Sequence, residues 1–262
     1  MFVGIDIGST TSKAVILDDV PINEKGEEIA FSIIPTSYDL NQSGEEVLKL
    51  ALKKIGKPAS GIKRIVSTGY GRRSFKRANK PVPEIICHAE GTKPLFPEAK
   101  TVIDIGGQDS KVIALDDNGN VIRFEMNDKC AAGTGRFLDV LATRILKISI
   151  EELGPISLKS RDPCILSSTC TVFAESEIIS YLAKGRSLPD IVAGLHIAIA
   201  KRVTNMGFGG QISYKEDIVF SGGVAKNIGV VKAIEEVLGK QVMVPEESQI
   251  TAALGAALIA RC

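Results

Sequence analysis

The chain has 262 residues, 44% of them hydrophobic and 24% charged, the balance of a soluble globular protein long enough to bury one large core or two ordinary ones. Its 32 Lys and Arg against 31 Asp and Glu leave a formal net charge of +1, and no long basic run occurs, which excludes nucleic acid as the expected partner. No stretch approaches the ~18 consecutive apolar residues that span a bilayer, the opening "MFVGIDIGSTTSK" lacks the pattern of a secretory leader, and five cysteines do not suit a disulfide framework; the expectation is a cytoplasmic protein with no membrane partner.

The chain opens with strand "FVGIDIG", a turn at Gly8, Ser9 and Thr10, and strand "TSKAVIL", continued around a turn at Lys25 and Gly26 into a third strand. "SGEEVLKLALKKI" reads as a helix capped at Ser43 or Gly44 with acidic residues in its first turn. "IKRIVSTGYG" is the next strand and turn, and the prolines at 81, 83, 94 and 97 mark a passage between domains. The pattern then restarts: "TVIDIGG", a glycine turn, "SKVIAL", a "DDNGN" turn and "VIRFEMN". "GIDIGSTTSKAVIL" and "DIGGQDSKVIAL" thus read as two copies of one unit. Three helices follow: "TGRFLDVLATRIL", "TVFAESEIISYLAKG" ending at Gly185, and "LPDIVAGLHIAIAKRVTNMG" ending at Gly207. Strand "DIVFSGG" leads into a helix "VAKNIGVVKAIEEVLG" whose start carries paired glycines, then strand "KQVMVPE" and a small-residue closing helix "SQITAALGAALIAR". The expected division is a first domain of 1–97 completed by 248–262, and a second of 98–247.

Three glycine turns follow strands: Gly8 with Ser9 and Thr10, Gly106 with Gly107, and Gly222 with Gly223. A strand ending in Asp, then Gly and hydroxyls, offers a carboxylate to orient a magnesium-bound water and backbone N–H groups to cradle phosphate. One such turn is an ordinary hairpin; two of them with a downstream "FSGGVAKN" argue for a nucleotide held by both halves of the molecule. Neither a "GxxxxGK[ST]" loop nor a strand followed by "GxGxxG" occurs. Cys130 and Cys170 each stand before a helical stretch, where a thiolate is stabilised, yet they lie 40 positions apart and do not form a compact metal motif; packing and ligation both remain open for them. Cys164, six residues before Cys170, is a rival thiol, while Cys87 and Cys262 read as packing and exposed thiols.

The order of "GIDIGSTTSK", "DIGGQDSK" and "FSGGVAKN", with the closing helix, resembles the actin, hexokinase and chaperone ATPase superfamily. "STGYGR", "NDKCAAGTGRFLD" and "CTVFAESE" resemble more narrowly the activator ATPases of 2-hydroxyacyl-CoA dehydratases and the ATPase subunits of benzoyl-CoA reductases, over Val3 to about Ala260. The resemblance implies an α/β fold of two actin-like (ribonuclease H-like) domains with a nucleotide cleft between them, and an anaerobic ATPase coupled to electron transfer. It implies a homodimer bridged by one [4Fe–4S] cluster, an upstream ferredoxin or flavodoxin donor, and a partner iron–sulfur dehydratase or reductase that receives the electron.

By motif position Cys130 and Cys170 match the cluster ligands. For ATP/ADP and Mg2+, the catalytic candidates are Asp6, Asp104 and Gln108: one Asp holds magnesium through water, the other orients the attacking water, and Gln108 is the alternative for that task. Gly8, Ser9, Thr10, Ser12 and Lys13, with Gly106, Gly107 and Gln108, are expected at the phosphates. Gly222, Gly223 and Asn227 are expected at the nucleoside, and Gly133, Thr134, Gly135 and Arg136 at the ribose or base. The competing readings are a small-molecule kinase of the same fold and a regulatory ATPase without a redox centre; neither requires Cys130 or Cys170.

Overall fold

The computed structural model describes residues 1–18, 30–167, 170–215 and 217–262; the expected turn at Lys25 and Gly26 lies outside them. The chain divides into two units: unit 1 is Met1–Ala99, Leu115–Ile122 and Pro245–Cys262, and unit 2 is Lys100–Ala114 and Arg123–Val244.

Unit 1 is built on strands β1 (Phe2–Ile7), β2 (Thr11–Leu17), β3 (Ala30–Pro35), β4 (Arg64–Thr68) and β5 (Lys80–Pro81), in the sheet order β3-β2-β1-β4-β5. β1 and β2 pair antiparallel, with Asp6 opposite Lys13, and β4 runs parallel to β1 with Thr68 opposite Asp6. Alternation along the strands sends side chains to opposite faces. Val3, Ile5, Ile7, Ala14 and Ile16 pack with Val47, Leu48 and Ala51 of α1 (Leu40–Ile55). Val15 and Leu17 meet Leu254 and Ala257 of α8 (Thr251–Arg261). Helix α2 (Glu84–Thr92) lies against α8. Small residues set these approaches: a Cβ at Gly4 would overlap the Ala253 carbonyl, and one at Gly255 would overlap that of Cys87.

Unit 2 repeats the plan. β6 (Thr101–Ile105), β7 (Ser110–Leu115), β8 (Val121–Asn127), β9 (Ile218–Ser221) and β10 (Val242–Met243) stand in the order β10-β9-β6-β7-β8. Asp104 is opposite Lys111 on the antiparallel β7 and opposite Ser221 on the parallel β9. One face carries α3 (Gly135–Val140), continued by a π-helical turn over Leu141–Leu146, with α4 (Ile150–Ser157), α6 (Leu188–Gly209) and α7 (Ile228–Leu238). Ile103, Ile105, Val112 and Phe220 of the sheet share a core with Leu138, Leu153, Leu195, Val203 and Ile234. Helix α5 (Thr171–Ala183) adds Ala174 and Ile178 to the same cluster.

Several local expectations shift. Helix α1 starts at Leu40, capped by Asp39, whose side chain accepts the Gln42 N–H at 2.9 Å; Ser43 and Gly44 are buried inside it, Gly44 beside Phe75, and no acidic residue stands in its first turn. Pro81 closes β5 and Pro83 caps α2, both within unit 1, and the chain first passes to unit 2 at Ala99 and Lys100. The α4 helix was not foreseen, although its capping box of Ser149 and Glu152 is written in the sequence. Gly222 and Gly223 do not open α7: a 3-10 turn spans Gly223–Lys226 and the helix begins after Asn227.

Gly4→Ala and Gly255→Ala each force backbone apart at a crossing and are expected to destabilise by about 3 kcal/mol or more. Gly209→Ala, in helix with nothing within 4 Å of a Cβ, is expected to be neutral or to stabilise by about 0.5 kcal/mol. Denaturant unfolding of the three variants checks both statements.

Candidate functional site

Each unit presents one Asp–Lys hairpin. In unit 1, β1 delivers Asp6 to its C-terminal end and β2 brings Lys13 back alongside, Nζ to Oδ2 at 2.9 Å. Gly8 closes the turn by donating its N–H to the Thr11 carbonyl, and Ser9 and Thr10 stand at its tip, Thr10 exposed. Ser12 is fully buried, and its hydroxyl meets Thr36 Oγ1 at 2.8 Å, which in turn donates to the Gly8 carbonyl. The Ser12 hydroxyl therefore braces the turn from inside.

In unit 2, Asp104 is buried and both of its carboxylate oxygens are engaged: Oδ1 accepts from Ser221 Oγ at 3.0 Å and Oδ2 from Lys111 Nζ at 3.1 Å. Lys111, 2% exposed, also meets Asp109 Oδ2 at 3.0 Å. Gly106 donates to the Asp109 carbonyl, and Gln108 is exposed at the tip. A glycine in the left-handed region closes each arrangement: Gly69 (φ 81°) after β4 and Gly222 (φ 90°) after β9. A Cβ at Gly69 would overlap Asp6 Oδ1, and one at Gly222 the Ile105 carbonyl, so only glycine lets the chain turn over the carboxylate.

Lys111, Asp109, Thr36, Ser221 and Gly69 escaped the sequence reading. Lys111 was within its reach, because aligning the two "DIG" units places it under Lys13. "IVSTG" and "IVFSGG" carry the matching signal for the two glycines.

The second hairpin is joined to Cys130 by hydrogen bonds. The N–H groups of Gly135 and Arg136, at the start of α3, donate to the carbonyls of Gly106 and Gly107 at 2.9 and 2.7 Å. Gly133 (φ 86°) makes the preceding turn and the Thr134 hydroxyl donates to the Ala131 carbonyl. Cys130 therefore does not open a helix; it precedes α3 by five residues in a turn stitched by the Asn127 amide, which accepts the Cys130 N–H and donates to the Cys130 and Ala132 carbonyls. Arg202 Nε donates to the same Ala132 carbonyl. Arg136 reaches Asp139 and stays exposed.

Cys170 is the N-cap of α5, with no cap hydrogen bond from its side chain. The strand of chain before it is clamped twice: the Ser167 N–H donates to Glu177 on α5, and Asp190 accepts from Ser160 Oγ and from the N–H groups of Arg161 and Asp162. The Ser187 hydroxyl, then the Asp162 N–H and Ser160, hold the Asp190 carboxyl well below the usual carboxylate range. Cys130 and Cys170 are half-buried, Cys87 and Cys164 lie in cores, and Cys262 is exposed. Burial pushes the Cys87 thiol up to about 12. Among the described residues no group of three or more His, Cys, Asp or Glu gathers as a metal cage.

Asn227, expected at a nucleoside, caps α7: Oδ1 accepts the N–H groups of Gly229 and Val230, and Nδ2 lies 3.3 Å from His196 Nε2. His196 is enclosed by protein, which lowers it to about 3 and keeps it neutral.

Residues 3–260 match the BadF/BadG/BcrA/BcrD ATPase family. A 2-hydroxyisocaproyl-CoA dehydratase activator of Clostridioides difficile is 47% identical, over 98% of this chain and 93% of its own. The (R)-2-hydroxyglutaryl-CoA dehydratase activating ATPase of Acidaminococcus fermentans is 45% identical, over 98% and 95%. The structure of the activator of the 2-hydroxyisocaproyl-CoA dehydratase from Clostridium difficile with bound ADPNP superposes with a TM-score of 0.90 at 45% identity, covering 100% of this chain and 94% of that one. The structure of the Acidaminococcus fermentans (R)-2-hydroxyglutaryl-CoA dehydratase component A superposes with a TM-score of 0.91 at 43% identity, over 99% of this chain and 97% of that one, and the fold class read from the motifs, α/β with two actin-like domains, is the one these structures share. No helix of the described residues is long and apolar enough to cross a membrane.

Peptide mapping after brief iodoacetamide treatment at pH 8 is expected to find exposed Cys262 labelled and Cys87 and Cys164 untouched, Cys164 because the core covers it and Cys87 because a thiol at about 12 is also roughly one part in ten thousand thiolate there. His196 generates a pH dependence: its folded value lies below its unfolded one, so its contribution is complete above about pH 6.5 and is lost as pH falls towards 3. His196→Gln is expected to remove up to ~1.4 kcal/mol per pH unit of acid sensitivity between pH 6 and 4, read from urea unfolding at each pH.

Proposed function

Because the chain belongs to the BadF/BadG/BcrA/BcrD ATPase family, we propose that it is an ATP-dependent activator that passes a low-potential electron to a partner iron–sulfur enzyme such as a 2-hydroxyacyl-CoA dehydratase or a related reductase, its own electron coming from a ferredoxin or flavodoxin. The observation that carries this reading is the continuous hydrogen-bonded path from the Gly106–Gly107 turn through Gly135 and Arg136 to the turn holding Cys130. A phosphate-dependent shift of that turn would act on the thiol directly. The Gly8, Ser9, Thr10 and Lys13 set and the Gly106, Gly107 and Gln108 set are the phosphate-binding loops, with Mg2+ neutralising the phosphates. Asp6, Asp104 and Gln108 belong to the hydrolytic apparatus, Asp104 in the part of anchor that its two hydrogen bonds support. Gly222 and Gly223 flank the nucleoside, with Asn227 holding the helix beside them.

The thiols fit a [4Fe–4S] cluster in kind and by half in number, since Cys130 and Cys170 of one chain give two of four thiolates and a second chain must supply the rest. Such a cluster, when bound, supplies a one-electron store of low potential. Cys170 stands at the N-cap of helix α5, next to backbone N–H groups of the kind that hydrogen-bond cluster sulfur. Ile165 (85% exposed), Val172 (66%) and Phe173 (61%) make an apolar skin in the chain around Cys170, of the kind a homodimer contact would cover.

Iron and acid-labile sulfide on protein kept free of oxygen test the proposal, with about four of each expected per dimer. Cys130→Ser and Cys170→Ser are expected to lose the iron while binding a fluorescent ATP analogue within about threefold of the parent; full iron in either variant removes that cysteine from the ligand set.

A further inference from the structure

Asp6–Lys13 and Asp104–Lys111 align without a gap and differ at three tip positions, Ser9, Thr10 and Thr11 against Gly107, Gln108 and Asp109, of which only the last, five positions after the strand-ending Asp, changes the charge. Unit 1 therefore sets one carboxylate against its lysine, and unit 2 sets two, Asp104 and Asp109, against Lys111. The first group sums to zero charge and the second to −1. The two carboxylates of unit 2 are not equivalent. Asp104 has a side chain 5% exposed and gives its oxygens to Ser221 and Lys111. Asp109 is 28% exposed, gives Oδ2 to Lys111, and extends Oδ1 over the Gly106 turn, 2.6 Å from where a Cβ on that glycine would stand.

We propose that Asp109, held in place by Lys111, is the carboxylate of unit 2 that acts on the water attacking the terminal phosphate of ATP. The inference rests on the ATPase reading. Asp104, 5% exposed and already held by Ser221 and Lys111, offers little open surface to a phosphate-bound water, whereas the Asp109 side chain is 28% exposed. Asp109 stands on the turn itself, and its repulsion toward phosphate is offset by the buried ammonium behind it. In the step, the water oxygen bonds to the γ-phosphorus as the bond to the β,γ-bridging oxygen breaks, and the electron pair of that bond leaves with ADP. The water proton passes to Asp109 and then to solvent.

The test is single-turnover hydrolysis of ATP by the full chain, with nucleotide affinity from titration of a fluorescent ATP analogue and melting temperature measured alongside. Asp109→Asn is expected to keep affinity within about threefold and the melting temperature of the parent while hydrolysis falls roughly 100-fold or more. Asp104→Asn, which breaks a buried pair, is expected to lower the melting temperature. Hydrolysis by Asp109→Asn within about threefold of the parent overturns the proposal. If that variant does not fold, Asp109→Glu, which moves the carboxylate by one methylene, replaces it: a loss of about tenfold or more at unchanged affinity supports the assignment, and a rate within about threefold overturns it. A parent chain that binds the analogue and hydrolyses no ATP overturns the ATPase reading itself.

Discussion

A carboxylate at the end of a strand and an ammonium on the returning strand, paired across a tight glycine turn, is the constraint around which each unit is organised. Asp6 with Lys13 and Asp104 with Lys111 occupy the same ladder position in the two sheets. Neither charge tolerates burial alone. The pair therefore demands an antiparallel hairpin in one register, and it demands that the chain leaving the next parallel strand turn over the carboxylate without a side chain. Gly69 and Gly222 meet that second demand at equivalent points. What remains at the rim is backbone N–H groups, joined in unit 1 by the hydroxyls of Ser9 and Thr10 and in unit 2 by Gln108 and Asp109.

The units then diverge in what they attach to the hairpin. Unit 1 encloses its turn with Thr36 and covers its sheet on both faces with α1 and α8, so that its loop is braced from within. Unit 2 spends the turn's own carbonyls on the start of α3, and so on the chain that leads back to Cys130. The first hairpin is thus tied to the chain after β3 through Thr36, and the second to the start of α3 through two backbone hydrogen bonds.

Much of the site was legible before any coordinates. The two "DIG…SK" units encode strand, turn and strand by simple alternation and glycine punctuation, and the ion pairs follow from register. The environment of Cys130 was not legible. The apolar periodicity of "GTGRFLDVL" predicts a helix, but its first residue depends on whether the early N–H groups find partners within the chain or in the Gly106 turn, and they find the turn. Asn127 ends β8 as the pattern predicts, and it is also the clasp of the cysteine turn. Glu177, one of several polar residues along α5, holds the Ser167 N–H. Such polar side chains look alike in sequence, because their roles are defined by backbone groups many residues away.

The sequence by itself determined the fold class, the duplicated hairpin, the family and the two thiols worth singling out, since all of these depend on local periodicity, turn chemistry and motif order. Only the tertiary structure decided which hydroxyls face inward, which carboxylate of unit 2 is fully engaged, where Cys130 stands relative to α3, and that Cys164 belongs to the core. The reason is that hydrogen-bond partnership and burial are properties of pairs distant in the chain, such as Ser221 with Asp104, and the chain's local pattern carries no record of which distant partner a polar group will meet.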